Sequence, residues 1–379
     1  MADTIIYIGG ELPDKDASAL RIVANCRALR EGGYNVVVIS PSKDSQRLAN
    51  KTEEVAGFSV HYLPYPNSTI SWFKDLIDSK SYINIIKTYD NVKGVICYNH
   101  HAISLFRLTR YCHKNNIKIY ADCTEWHTTN HLPLIKRVVK SLNTYLRINW
   151  AQKKTDGIIS ISQYFADLYK EQNNIIIVPP LIDVEDSIWE YTPHKNITRT
   201  FSYTGRAGIG KDLLTEIIYC FASIKDSYSF IFRVVGCSKD EYLSLHPEDN
   251  ELIIGLGNKL QFQGYCSHIE AVRVTQDSDF SFLIRDHNRK NDSGFPTKLA
   301  ESVACATPVI ATDFSNVKYY IEKHGLGIMI EKNQLKEAIV DAIQLPKDRL
   351  DAMKERCRNC TAFDYRNYIQ NLCDFVKSK

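Results

Sequence analysis

Long hydrophobic runs are missing from this 379-residue chain. The longest apolar stretches, such as Asn35–Ile39 and Gly157–Ile161, fall far short of the roughly 18 consecutive apolar residues of a membrane span. A strong excess of one charge sign is missing too. The formal net charge is +3, which argues against a dedicated nucleic-acid binder, so no nucleic-acid partner is expected. The start, MADTIIYIGGELPDKD, shows neither a basic n-region nor a small-residue cleavage site, and no secretory signal is expected. Glycine is scarce, with 17 residues, and there is no short-period repeat or low-complexity tract. What is present is ordinary for a folded domain protein. A hydrophobic fraction of 44% excludes intrinsic disorder, and the length predicts two domains.

The eleven cysteines make an odd number. Cys26, Cys97, Cys220 and Cys305 sit in apolar segments, where a reduced thiol packs as a small hydrophobe. That pattern points to a reducing, cytoplasmic compartment. Cys357 and Cys360 form one CxxC on a charged, helical-looking stretch. A zinc site needs a second pair of ligands and a thioredoxin-like site needs another context, so no metal is expected there.

Strand and helix patterns alternate. Apolar strands are expected at Thr4–Ile8, Asn35–Ile39, Phe58–Leu63, Gly94–Tyr98, Ile117–Ala121, Gly157–Ile161 and Ile175–Val178. Between the first two, Leu20, Val23, Ala24 and Leu29 recur near helical spacing. The alternation breaks after Val178 at Pro179-Pro180 and restarts at Thr200–Thr204. Strands follow at Ser229–Val235, Leu260–Gln263, Phe280–Ile284, Pro308–Ala311 and Gly327–Ile330. Such alternation predicts an α/β protein of two Rossmann-like domains with mostly parallel sheets. The expected division is an N-terminal domain over 1–180, a linker over 181–199, a C-terminal domain over 200–360 and a closing helix over 361–379 that packs back toward the first domain. Ligands of such sheets bind beyond the carboxyl ends of the strands, which places the expected site in a cleft between two facing domains.

Two segments carry chemistry. Gly205-Arg206-Ala207-Gly208-Ile209-Gly210-Lys211-Asp212 follows a strand and opens a helix, a natural anion site. It departs from an NTPase P-loop at Asp212, where a hydroxyl would be needed for Mg²⁺. A diphosphate clamp and a plain glycine-rich turn both remain open. The second segment runs from Asp292 to Thr312. Pro296 suits a first helical turn, and Lys298 and Glu301 lie three apart on one face. A Glu one turn into such a helix can accept two hydrogen bonds from a diol such as ribose.

This second stretch resembles the donor-site signature of GT-B glycosyltransferases, in particular the retaining GT4-like type (glycosyl transferases group 1). Glu301 matches the second Glu of that signature; Ser293 stands where the first belongs, with Asp292 and Asp286 nearby as substitutes. The block Ser293-Gly294-Phe295-Pro296-Thr297-Lys298 resembles a Phe-Pro-Thr-Lys branch of the family. The resemblance extends along most of the chain, to Gly9-Gly10, Val178–Asp183, Gly205-Arg206 to Lys211, and Gly264-Tyr265 in the loop that receives the nucleobase. It implies a GT-B fold and transfer of a sugar from a nucleotide-diphosphate donor, a UDP-sugar, with retention. The acceptor it implies is a glycan or lipid-linked glycan of bacterial surface polysaccharide synthesis. Arg206, Lys211 and the backbone N–H groups of Ser293–Phe295 would stabilise the leaving diphosphate, with no metal required. A literal DxD, Asp277-Ser278-Asp279, is read as accidental rather than metal-binding.

On the acceptor side, Asp122-Cys123-Thr124-Glu125-Trp126-His127 ends a strand. Glu125 or Asp122 could take the acceptor proton and His127 could bond the donor sugar, while Trp126 offers an aromatic platform. An Asx turn with a locally packed Trp126 is the alternative. His100 and His101 end a neighbouring strand and either touch substrate or cap a helix. The segment Leu134–Lys154 carries six basic residues, no acidic one, and an apolar stripe at helical spacing. Either the stripe faces the sheet, or the helix lies on an anionic membrane, placing the enzyme at the inner face of the plasma membrane. Two rival functions remain: a UDP-sugar epimerase of the same fold, and a non-catalytic partner subunit.

Overall fold

The structure is a computed structural model that describes residues 2–13, 17–126, 129, 132–172, 174–190, 197–205 and 213–377. The chain divides into two compact units. The first comprises Met1–Asp183, Ser293–Phe295 and Asp364–Lys379; the second comprises Val184–Asp292 and Pro296–Phe363.

The first unit is built on an eight-stranded sheet. Its strands are β1 (Thr4–Ile8), β2 (Asn35–Ser42), β3 (Thr52–Val55), β4 (Phe58–Pro64), β5 (Val92–Tyr98), β6 (Lys118–Cys123), β7 (Gly157–Ser160) and β8 (Ile175–Ile177). They lie in the order β3-β4-β2-β1-β5-β6-β7-β8. All neighbours are parallel except β3 and β4. Strand β1 is buried at every position, as a central parallel strand covered on both faces must be. Helix Ala17–Glu31 covers one face through Ile22, Cys26 and Leu29, and helix Ala102–Lys114 covers the other through Leu105, Leu108 and Cys112.

Strand β3 is the element that periodicity misses. Its sequence is Thr-Glu-Glu-Val and its side chains are exposed or half-buried. It exists because Ala56 and Gly57, both at positive φ, turn the chain back into an antiparallel edge pair with β4.

The second unit has six parallel strands: β9 (Arg199–Thr204), β10 (Phe230–Val235), β11 (Leu260–Phe262), β12 (Phe280–Leu283), β13 (Val309–Thr312) and β14 (Gly327–Ile330). Their order is β11-β10-β9-β12-β13-β14, the doubly wound order with its reversal between β9 and β12. Phe201, Phe221, Phe232 and Phe282 pack at its centre, with ring centroids 4.8 Å apart for Phe221–Phe232 and 5.7 Å for Phe201–Phe282. None of the eleven cysteines forms a disulfide. No helix among the described residues is long and apolar enough to cross a membrane.

Candidate active site

In the second unit the chemistry gathers at the carboxyl edge of the sheet. Gly205 ends β9 with φ +147°, a conformation that side chains rarely adopt, and a Cβ there would meet the Lys298 ammonium. The same ammonium lies 4.6 Å from the centroid of the Tyr203 ring, a cation–π contact. A positive charge is thus parked directly over the start of the glycine-rich loop. Arg206 and Lys211, expected to clamp the diphosphate, lie outside the described residues.

Lys298 and Glu301 both belong to helix Thr297–Ala304, whose first turn has no side-chain cap. Uncapped N–H groups at a helix start favour an anion. Leu299, Ala300 and Val303 bury the opposite face, which orients Lys298 and Glu301. Glu301 Oε1 lies 3.3 Å from Nε2 of His268, and both side chains are about a quarter exposed, at 23% each. A ligand can therefore still reach the Glu301 carboxylate. His268 escaped the motif reading, although a capping-box signature, Ser267 with Glu270, marks the start of its helix beside it. Gly264 sits at φ +64° with its carbonyl accepting from Gly236 N–H, and Tyr265 is highly exposed.

The DxD does not assemble a metal site. Asp277 is exposed while Asp279 is buried, accepting from Thr200 N–H at 2.9 Å and pairing with Lys354 at 3.1 Å. Among the described residues one other group could converge on an ion, His246, Glu248 and Asp249, but Asp249 already accepts from Tyr219 and Tyr242 hydroxyls.

In the first unit a cavity of about 370 Å³ opens where β1 and β5 end, at the reversal of strand order. Gly9, Gly10, His100 and His101 line it. Gly9 has φ +128°, and a Cβ there would press on Tyr98 at 2.9 Å. His100 is buried and shares a 2.7 Å hydrogen bond with Ser104 Oγ. Burial, with His101 beside it, pushes its pKa down to about 3, so its ring is neutral at physiological pH. His101 is held between Asn143 Nδ2 at 3.2 Å and the Asp75 carboxylate at 3.2 Å.

The loop after β6 is divided by burial. Asp122 is fully buried, and both oxygens are engaged by Arg21, at 2.7 Å for the closest contact, and by the Tyr7 hydroxyl at 2.5 Å. Its expected role as acceptor base is corrected: it is a structural anion joining β6, β1 and helix Ala17–Glu31. Glu125 is half-buried and is the remaining carboxylate of the cluster. Trp126 donates its backbone N–H to Ser293 Oγ at 3.1 Å, and Ser162 Oγ donates to Ser293 O at 2.8 Å. Ser293 is fully buried, and its hydroxyl is committed to this hydrogen bond. The Trp126 ring packs edge-on against Tyr164. His127 lies outside the described residues.

Comparison with known proteins places these features. Two doubly wound sheets, each with a glycine turn at its strand-order reversal, define the α/β class of the fold. Residues 195–360 match the family Glycosyl transferases group 1. Over the whole chain, the fold matches a glycosyltransferase from Rickettsia africae, with TM-score 0.69, 18% identity and 100% of each chain covered. It matches Anabaena HepE, solved in complex with UDP, with TM-score 0.67, 12% identity and 100% of each chain covered. It also matches the N-terminal domain of Candida albicans trehalose-6-phosphate phosphatase, with TM-score 0.71, 12% identity, and 100% and 97% covered. No curated protein matches the sequence. The whole chain has the GT-B fold, and its residues 195–360 match a glycosyltransferase family.

Proposed function

We propose that the chain moves a sugar from a UDP-sugar to a glycan or lipid-linked glycan, with retention, as a GT4-type enzyme of bacterial surface polysaccharide synthesis. The observation that carries this reading is the pairing on one short helix of Lys298, over the Gly205 turn, with Glu301, reachable beside His268. The ammonium suits a diphosphate and the carboxylate suits a ribose diol. UDP in the HepE complex supports the choice of base.

Charge develops on the leaving diphosphate during transfer, and fixed cations with uncapped N–H groups stabilise it more than they stabilise the bound donor. Lys298 and the first turn of helix Thr297–Ala304 supply this, with Arg206 and Lys211 as further cations and without a metal. Glu125 is the proposed acceptor base and His127 the proposed sugar contact. A cavity in the first unit with its own polar lining favours transfer over epimerisation, which needs no acceptor.

Helix Leu134–Leu146 supports membrane contact at the cytoplasmic face. Leu134, Ile135 and Tyr145 are 75%, 71% and 60% exposed, and Val138 and Leu142 are exposed beside them. No acidic residue occurs from Leu132 to Lys154. The apolar stripe does not pack on the sheet, and an anionic bilayer matches both its apolar surface and its charge.

The test is transfer and donor hydrolysis with a panel of sugar nucleotides. Glu301→Ala and Lys298→Ala are each expected to cut kcat/KM at least about tenfold, the loss of one charge-assisted hydrogen bond, with thermal unfolding nearly unchanged. Turnover with no donor in the panel, and no UDP binding, would sink the reading. Conversion of the donor into another UDP-sugar, with no acceptor present and no UDP released, would replace it with epimerisation.

A further inference from the structure

Arg147 is among the largest fully buried side chains, 2% exposed, and lines the cavity of the first unit. Its guanidinium donates to two backbone carbonyls, Asn99 O at 3.1 Å and Glu125 O at 2.8 Å, and its Nε has no partner among the described residues. No carboxylate among the described residues pairs with it. Arg21 is the contrast: equally buried, it is forked onto Asp122. Burial lowers the pKa of Arg147 despite the Glu125 carboxylate acting on it through space, whereas for Arg21 the Asp122 charge outweighs burial and the pKa rises. A buried cation without a direct ion pair is costly, and an arriving anion would offset that cost.

The geometry around it repeats the message. Lys140, Asn143, Thr144 and Arg147 all line the cavity. Their spacing of three, four and seven puts them on one helical face. Lys140 forms no ion pair with any described residue. Of the carboxylates on the cavity wall, Glu11 pairs with Lys43 at 3.5 Å and Asp75 shares a hydrogen bond with His101 at 3.2 Å, and neither forms an ion pair with Arg147 or Lys140. Two cations on this wall therefore have no ion-pair partner among the described residues, more than one carboxylate would need and suited to a phosphate. The other face of the same helix is the exposed apolar one, so a lipid surface would lie about one helix diameter, ~10 Å, from the cavity wall.

We propose that this cavity binds a phosphoryl group of the acceptor, with Arg147 and Lys140 as its cations. The inference rests on the reading of the first unit as the acceptor-binding one. A lipid-linked phosphate and a soluble phosphorylated glycan share this chemistry.

The full chain, with UDP in excess to fill the donor site, is titrated at constant ionic strength with two probes. One is inorganic phosphate. The other is phosphatidylcholine vesicles doped with a long-chain alkyl phosphate, against undoped vesicles. Saturable phosphate-dependent binding is expected, weakened about tenfold or more in Lys140→Ala and recovered in Lys140→Arg. Arg147→Lys, checked for folding by its unfolding midpoint, is expected to weaken it as well. A large gain from doped vesicles over free phosphate assigns the lipid source; comparable binding of both assigns a soluble one; either supports the site. No saturable binding of either probe, or equal binding by Lys140→Ala and the wild type, overturns it. UDP affinity measured on the same samples separates this outcome from failure of the donor reading, since Lys140 lies in the first unit and Lys298 and Glu301 in the second.

Discussion

Single residues divide here between those that hold the fold and those left available. Asp122 belongs to the first group. Its carboxylate neutralises Arg21, and Arg21 in turn donates to Val178 O at 2.8 Å. Asp122→Asn leaves a buried guanidinium unpaired, and we expect a loss of about 3–5 kcal/mol in urea unfolding. A variant of ordinary stability that had lost only activity would restore Asp122 as a catalytic candidate. His100 makes a second residue-scale prediction. Its folded pKa of about 3 lies below the unfolded value of about 6.5, so the folded state binds fewer protons. Its stabilising contribution is present above pH ~6.5 and is lost as pH falls toward 3. Replacing it in His100→Gln is expected to flatten the stability profile between about pH 6.5 and 4 by roughly 3 kcal/mol relative to wild type. The candidate residues Glu301, Lys298, Glu125 and His101 were legible in the sequence because they end strands or open helices. Arg147 was visible only as one of six basic residues in a segment. Nothing in a linear pattern says that one arginine is buried and unpaired while its neighbours are solvated.

At the scale of the element, helix Leu134–Leu146 is the instructive case. Its periodicity is strong, and periodicity alone would turn the apolar stripe inward. The structure turns it outward and sends the polar stripe to a cavity wall. Val138→Ser with Leu142→Ser removes apolar surface already in contact with solvent. We expect vesicle co-sedimentation with anionic lipid to fall several-fold, while the unfolding midpoint changes little, since exposed substitutions usually stay within about 0.5 kcal/mol. A fall in stability of a few kcal/mol would instead mean that the stripe is packed. Strand β3 shows the opposite failure. Its ladder to β4 is made by backbone groups, and its glutamates carry no apolar alternation to detect. Strands buried on both faces, such as β1 and β12, were read almost to the residue because they are continuous apolar runs.

The whole molecule is two doubly wound sheets plus a returning end. The last segment, from Asp364, clusters with the first unit. Leu372 and Phe375 are buried in that unit's core, Tyr120 donates to Val376 O at 2.8 Å, and Arg366 pairs with Asp183 at 2.9 Å. Truncation after Phe363 removes the buried Tyr365, Leu372 and Phe375, uncovers the core they pack on, and is expected to cost the first unit about 5 kcal/mol or more. Calorimetry should show the transition of the first unit moving down while UDP still binds the second. A single unshifted transition would count against the assignment of this segment.

The alternation of short apolar strands with helices, the proline break and the order of glycine turns are local properties, so the sequence by itself determined two Rossmann-like domains and the helix proposed to hold the donor. Burial and pairing depend on what long-range folding brings alongside. Tertiary structure alone therefore decided that Asp122 is spent on Arg21, that Arg147 forms no ion pair among the described residues, that an amphipathic helix faces outward, and that the chain's end completes the core of its beginning.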